Sequence, residues 1–101
     1  MSKVYGYCRL ALANDEEMAE QCSQVYKYCK DNGLTLDRYF CDNGTSGLDS
    51  YRGELNKMLY ILQSGDIVVM KDIARLSRNM TQCLSLMELM EEIGVTLKTI
   101  H

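Results

Sequence analysis

Along this chain, short apolar runs alternate with longer segments in which apolar residues recur at helical spacing. The short runs predict strands, and the longer segments predict amphipathic helices. The clearest strand covers residues 66–71, where a nearly continuous apolar run predicts a strand buried on both faces. The clearest helix follows Asn14, which can act as its cap, because Met18, Cys22, Val25 and Cys29 recur on one helical face. The pattern therefore predicts an α/β chain rather than an all-helical or all-strand one.

Strands and helices are predicted to alternate three times before a last strand closes the chain. Ser50 is the expected cap of the second helix, and Gly33, Gly65 and Gly94 are the expected helix ends. The predicted strands cover residues 3–8, 34–41, 66–71 and 95–100, and the last helix covers 81–93. This order indicates a mostly parallel sheet of about four strands with helices on both faces.

The chain has 101 residues, of which 47% are hydrophobic, and this size fits a single domain over residues 1–101. It contains no proline and no low-complexity linker. Neither a signal peptide nor a stretch long enough to cross a membrane is visible in it. We therefore expect a cytoplasmic protein with no membrane partner.

The five cysteines are an odd number without a C-x-x-C pair or a histidine cluster, which fits neither a disulfide framework nor a zinc site. Free cysteine usually packs as a small buried hydrophobe, so we expect reduced thiols in the core and no bound metal. The lone histidine, His101, stands at the last position and is expected to be a frayed end rather than a ligand.

Positive charge is concentrated at one edge of the predicted sheet. The net charge of −3 excludes a protein that coats nucleic acid through bulk charge. However, Arg9, Arg52, Arg75 and Arg78 follow three different strands, whose carboxyl ends form the usual ligand edge of such sheets. The arginine fork suits phosphate, so this edge predicts a phosphate site. The alternative is that each arginine pairs with a surface acid.

Common nucleotide-binding motifs are missing from the sequence. It has neither a Walker loop nor G-x-G-x-x-G, which excludes the usual cradles for nucleoside triphosphates and dinucleotides. Cys8 lies inside a predicted strand with Arg9 directly after it, so the cradle of a cysteine phosphatase is not formed either. The predicted phosphate ligand therefore belongs to another class.

Short motifs are spread over almost the whole chain in the order Tyr7-x-Arg9-Leu10, Phe40-x-Asp42, Ser46-Gly47, Arg52 and Arg75-Leu76-Ser77-Arg78. In this order and spacing they resemble the catalytic domain of the serine recombinases, the resolvases and invertases. The resemblance implies DNA as partner and a homo-oligomer, a dimer to tetramer in full-length members. It also implies that a long dimerisation helix and a DNA-binding domain follow this region.

The family reaction is a transesterification without metal or cofactor, in which a serine attacks a DNA phosphodiester and forms a 5′-phosphoserine link. By resemblance, Arg9, Arg52, Arg75 and Arg78 would hold the phosphate, because preorganised charge stabilises such transition states. Tyr7 belongs to the same catalytic set, and Asp42 and Ser46 would organise the adjacent loop.

Two positions depart from the family pattern. The nucleophilic serine falls at Ala11, whose methyl group cannot attack phosphorus. Ala74 stands where many members place an aspartate. As written, the chain should not cleave DNA by the family mechanism. The hypothesis that Ser46 is a substitute nucleophile is less favoured, because serines in turn-rich loops usually form hydrogen bonds with the backbone.

Three readings of function remain open on the sequence. The first is a site-specific recombinase whose nucleophile is replaced, and the second is a naturally non-catalytic relative that binds DNA or joins active subunits. The third is an unrelated phosphate-binding α/β domain. The apolar content of residues 81–93 indicates either a partner surface or a broad buried face.

Overall fold

The computed structural model of the protein describes residues 2–44 and 53–101, in which strands and helices alternate. A short 3-10 helix, Ile73–Arg75, precedes the last helix. The strands are β1 Val4–Leu10, β2 Arg38–Asn43, β3 Ile67–Met70 and β4 Thr96–Thr99, and the helices are α1 Asp15–Asp31, α2 Gly53–Ile61 and α3 Met80–Ile93. The predicted order of elements is confirmed.

All strand pairs in the sheet are parallel, and the order across it is β2-β1-β3-β4. β1 pairs with β2 from Tyr5 to Leu10, but with β3 only from Val4 to Gly6. The carboxyl end of β1 therefore extends beyond β3 and has a strand neighbour on one side only.

Helices cover both faces of the sheet, as predicted. On one face, Tyr7 and Val68 belong to a core cluster with residues of α2 and α3. On the other face, Cys8 and Val69 pack with the apolar stripe of α1. Successive residues of a strand point to opposite faces, so neighbouring residues of β1 serve different cores.

Helix ends follow the predicted chemistry, with some corrections. Asn14 caps α1 by accepting a hydrogen bond from the Glu17 N–H at 3.0 Å. Asn79 caps α3 by accepting from the Gln82 N–H, so this helix begins one residue before the predicted 81. α2 ends at Ile61, four residues before Gly65. The predicted cap Ser50 lies outside the described residues.

The second strand begins at Arg38 and not at the predicted residue 34. The Leu34 N–H donates to the Cys29 carbonyl at 2.8 Å, which closes the end of α1. Asp37 then exchanges hydrogen bonds with Val4, one through its backbone and one through its carboxylate. Residues 34–37 therefore form the connection into the sheet, although their apolar content is typical of a strand.

α3 carries more apolar surface than the sheet covers. Cys83 and Met90 are buried, whereas Met80 is 71% exposed, Leu84 52% and Leu89 40%. A broad buried face does not account for these three side chains.

Across the two described ranges, no helix is both long and apolar enough to span a bilayer.

Gly94 is the position where we expect a side chain to be least tolerated. Its φ of 95° is left-handed, and an added Cβ would lie 2.5 Å from Ser64 Oγ and 3.4 Å from Ser64 Cα. Gly94→Ala should cost about 1–3 kcal/mol for the backbone conformation and a smaller further amount for the contact with Ser64, whose Oγ can rotate away but whose Cβ would lie 3.2 Å from the new methyl group. Urea denaturation measures the loss of unfolding free energy.

Gly33→Ala is the matched control, because Gly33 also has a left-handed φ of 70° but nothing lies within 4 Å of its added Cβ. It should show the backbone cost alone. Equal losses in the two variants would mean that Ser64 moves aside without cost, which would contradict the packing argument.

Candidate active site

The candidate active site lies at the carboxyl end of β1, where this strand extends beyond β3. Buried backbone groups need partners, and here side chains supply them. Gln21 of α1 accepts from the Arg9 N–H at 3.0 Å and donates to the Arg9 carbonyl at 3.3 Å. Nη1 of Arg75 donates to the same carbonyl at 3.1 Å. α1 and the 3-10 helix are thereby fixed to this end of the strand.

The structure brings Arg9 and Arg75 together, as the sheet edge predicts. Arg9 is only 3% exposed, and its Nε donates to the Arg75 carbonyl at 3.1 Å while its Nη2 donates to the Ala74 carbonyl at 2.8 Å. Arg75 also forms an ion pair with Asp72, with Nε 3.4 Å from Oδ1. The Arg9 guanidinium therefore supports the loop that carries Arg75.

The other predicted site residues differ in their placement. Ala11 directly follows β1 and is exposed, and Arg78 is exposed after the 3-10 helix. Ser46 and Arg52 lie outside the described residues. Within the described part, the edge thus holds two arginines bonded to the backbone and one that is open to solvent.

Asp42 joins the end of β2 to the start of α2. Its carboxylate is buried and accepts from the Tyr7 hydroxyl at 2.8 Å and from the backbone N–H groups of Glu54 and Leu55, each at 3.0 Å. A carboxylate at a helix N-terminus satisfies donors that have no partner within the helix, and it interacts favourably with the helix dipole. Tyr7 and Asp42 thus position α2 relative to the centre of the sheet.

The sequence reasoning assigned no role at the site to two polar residues, Gln21 and Ser77, although Ser77 belongs to the motif that contains Arg75 and Arg78. Gln21 is buried and lies among the apolar residues of the α1 face; its polar character on that face was the available signal. The hydroxyl of buried Ser77 donates to Gln82 Oε1 at 2.7 Å and accepts from the Asn79 N–H at 3.0 Å. These bonds connect the loop after β3 to the start of α3.

Three cysteines meet on the face of the sheet that α1 covers. The Sγ atoms of Cys8, Cys22 and Cys41 all lie within 4.8 Å of one another. A hydrogen bond from the Cys8 thiol lowers the pKa of Cys41 to about 7, whereas burial raises the pKa of Cys22 to about 11. The remaining cysteines, Cys29 and Cys83, are buried in the core as predicted. The sequence did not predict this cluster, because its three cysteines are far apart along the chain.

The chain belongs to the resolvase family, because the model of the family described as "Resolvase, N terminal domain" matches residues 4–101. The resolvase of transposon Tn917 from Enterococcus faecalis is 29% identical over 98 residues, which cover 97% of this chain and 49% of that protein. The chain spans about half the length of the curated relatives it matches.

Solved structures have the same fold. A resolvase family site-specific recombinase from Streptococcus pneumoniae is 27% identical with a TM-score of 0.80, over 99% of this chain and 72% of that one. The C-terminal catalytic domain of ISC1926 TnpA, an IS607-like serine recombinase, has a TM-score of 0.89 at 22% identity, over 98% and 67% of the two chains. The latter similarity concerns the fold alone. The predicted resolvase-like core is confirmed.

The contact between Tyr7 and Asp42 can be tested as a coupled pair. Asp42→Asn removes an acceptor oxygen and should cost about 1.5–3 kcal/mol, since hydrogen bonds to charged groups are the strong ones. Tyr7→Phe should cost less in that background than in the original protein, with a coupling energy of about 0.5–3 kcal/mol. Unfolding free energies of the four proteins give the cycle.

Asp37→Asn is the control for this cycle. Asp37 is exposed and its carboxylate accepts a hydrogen bond from the Val4 N–H. This variant should lose less unfolding free energy than Asp42→Asn, because the amide oxygen can still accept this single bond, whereas both oxygens of Asp42 accept hydrogen bonds. Additive effects of Tyr7→Phe and Asp42→Asn would show that their hydrogen bond does not hold the site together.

Proposed function

We propose that this chain is the catalytic domain of a site-specific DNA recombinase whose nucleophile position is occupied by Ala11. The observation that carries the proposal is the exposed Ala11 methyl group directly after β1, at the strand end where Arg9 and Arg75 exchange hydrogen bonds. Membership of the resolvase family and similarity to the Tn917 resolvase support it. Without a hydroxyl at this position, the chain does not cut DNA by the serine mechanism.

A serine at position 11 would supply the missing chemistry. Its oxygen attacks phosphorus, the bond from phosphorus to the 3′-oxygen breaks, and the products are a 5′-phosphoserine link and a 3′-hydroxyl. The serine loses its proton, and the leaving 3′-oxygen gains one. Negative charge develops on the phosphoryl oxygens during this exchange, and nearby guanidinium groups stabilise it.

The contacts favour different roles for the arginines. Arg78 is exposed and suited to bind phosphate directly, and Arg75 stands between the loop and the strand end. Arg9 is buried and donates to two carbonyls, so its main role is to position Arg75. Arg52 keeps the phosphate-binding role that the resemblance implies, and Ser46 remains assigned to the adjacent loop.

Tyr7 and Asp42 are positioning residues in this proposal. They hold the start of α2, which follows the segment that carries Arg52. DNA is the partner, and a dimerisation helix and DNA-binding domain after residue 101 stay predictions. A cytoplasmic location belongs to the same proposal, and the five free thiols support it because such thiols persist in reducing compartments.

The second candidate function is a naturally non-catalytic resolvase-like protein that binds DNA or joins active subunits. The exposed apolar side chains of α3, Met80 and Leu84 among them, offer the surface for another subunit that this candidate needs, although an active oligomeric recombinase would use such a surface too. The hydrogen bonds that hold Arg9, Arg75 and Asp42 in place, and the alanine at position 11, fit both candidates. Restoring the nucleophile separates them.

Ala11→Ser should give a covalent protein–DNA adduct. The variant is made in the full reading frame that contains this chain and incubated with DNA carrying the sequences that flank the gene. DNA labelled at its 3′ ends should then migrate with the protein on a denaturing gel, and mass spectrometry should place the phosphate on residue 11. The unchanged protein should give no adduct.

Ala13→Ser is the matched control, because Ala13 is also exposed and lies two residues further along the same loop. It should give no adduct. DNA binding without an adduct in the Ala11→Ser protein would support the non-catalytic candidate. An adduct in the unchanged protein would contradict the assignment of Ala11 and point to another nucleophile such as Ser46.

Arg78→Gln, combined with Ala11→Ser, should lower the cleavage rate by about 100-fold or more, since loss of one transition-state donor typically has this effect. Lys57→Gln on α2 removes the same charge from another exposed side chain and should leave the rate nearly unchanged. Single-turnover rates of adduct formation measure both effects. Similar losses in the two variants would mean that Arg78 acts through general charge.

A further inference from the structure

We propose that Cys8, Cys22 and Cys41 bind one soft metal ion through their three sulfur atoms. The residues belong to three different elements, β1, α1 and β2. Cys8 and Cys41 are register partners on adjacent strands, so their side chains lie next to each other on the same face of the sheet. Cys22 reaches them from the helix that covers this face.

The distances between the sulfur atoms suit a single central ion. Cys22 Sγ lies 3.5 Å from Cys41 Sγ and 3.8 Å from Cys8 Sγ. Thiolates placed about 2.3 Å from a zinc-sized ion at tetrahedral angles are roughly 3.8 Å apart. The three sulfur atoms therefore need only small movements to become ligands.

The donor set determines the class of ion. The described part of the chain forms one group of three or more potential ligands, and all of its members are cysteines. Soft thiolates select ions such as Zn²⁺, Cd²⁺ and Cu⁺ over Mg²⁺ and Ca²⁺, which prefer oxygen. Three sulfur–metal bonds form as three thiol protons pass to solvent and water leaves the ion, so no oxidant or reductant is required.

The surroundings allow entry and hold the ligands in place. Cys22 and Cys41 are half-buried, so two of the three ligands are partly accessible from solvent. The Tyr39 hydroxyl donates to the Cys22 carbonyl at 3.0 Å and fixes this turn of α1 to β2. Such outer contacts orient metal ligands, and a plausible site needs them as well as an entry path.

The ion would act as a structural clamp behind the candidate active site. Arg9 directly follows Cys8, Asp42 directly follows Cys41, and Gln21 directly precedes Cys22. Coordination would thus hold together three segments whose adjacent residues, Arg9, Gln21 and Asp42, contribute to the candidate active site. This role requires neither DNA nor a nucleophile at position 11.

Cadmium is the probe for the test, because its thiolate complexes absorb in the ultraviolet. Titration of the reduced protein with Cd²⁺ should give a charge-transfer band that saturates at one ion per chain. The melting temperature should rise by about 5 °C or more at excess metal. Cadmium NMR of the unchanged protein should report sulfur ligation, a readout that needs no variant.

Cys22→Ala and Cys41→Ala should each weaken binding by at least about tenfold, since even loss of an outer-shell partner can cost this much. Cys29→Ala and Cys83→Ala are the controls, because both residues are buried cysteines outside the cluster. Absence of stoichiometric binding by the reduced protein would overturn the proposal. Equal weakening by ligand and control variants, or ligation without sulfur, would overturn it as well.

Discussion

A strand that extends beyond its neighbour leaves backbone N–H and C=O groups without a ladder, and burying them without partners is costly. β1 is in this situation beyond Gly6, because β3 pairs with it only up to that residue. Gln21 and Arg75 supply the partners at Arg9, and the side chain of Arg9 in turn supports the loop of Arg75. The position of α1, of the 3-10 helix and of the site between them depends on this exchange.

Successive side chains of β1 point to opposite faces of the sheet, so the two faces hold different groups of residues. Tyr7 points to the face of α2 and α3 and bonds Asp42, which holds the start of α2. Cys8, one residue later, points to the face of α1 and meets Cys22. A one-residue slip of β1 would exchange these faces, so both the site and the cysteine cluster require the observed register.

Local signals in the sequence predicted most of the fold. The apolar run at β3, the cap at Asn14 and the left-handed Gly94 act within a few residues, and each is where the pattern placed it. The start of β2 was placed too early because its connection to α1 uses long-range bonds to Val4.

Non-local pairing also explains which parts of the site were missed. Gln21 and Arg9 are twelve positions apart, and Cys8 and Cys41 meet only because their strands are adjacent in a particular register. The sequence could place arginines at one edge, since parallel strands end together. It could not show that Arg9 is buried by contacts to backbone carbonyls. Arg9 stabilises this fold whether or not the protein cuts DNA, and its retention beside Ala11 is therefore weak support for catalysis. Arg78 is exposed and makes little contribution to the core, so it is the arginine for which the proposed contact with phosphate has most to explain.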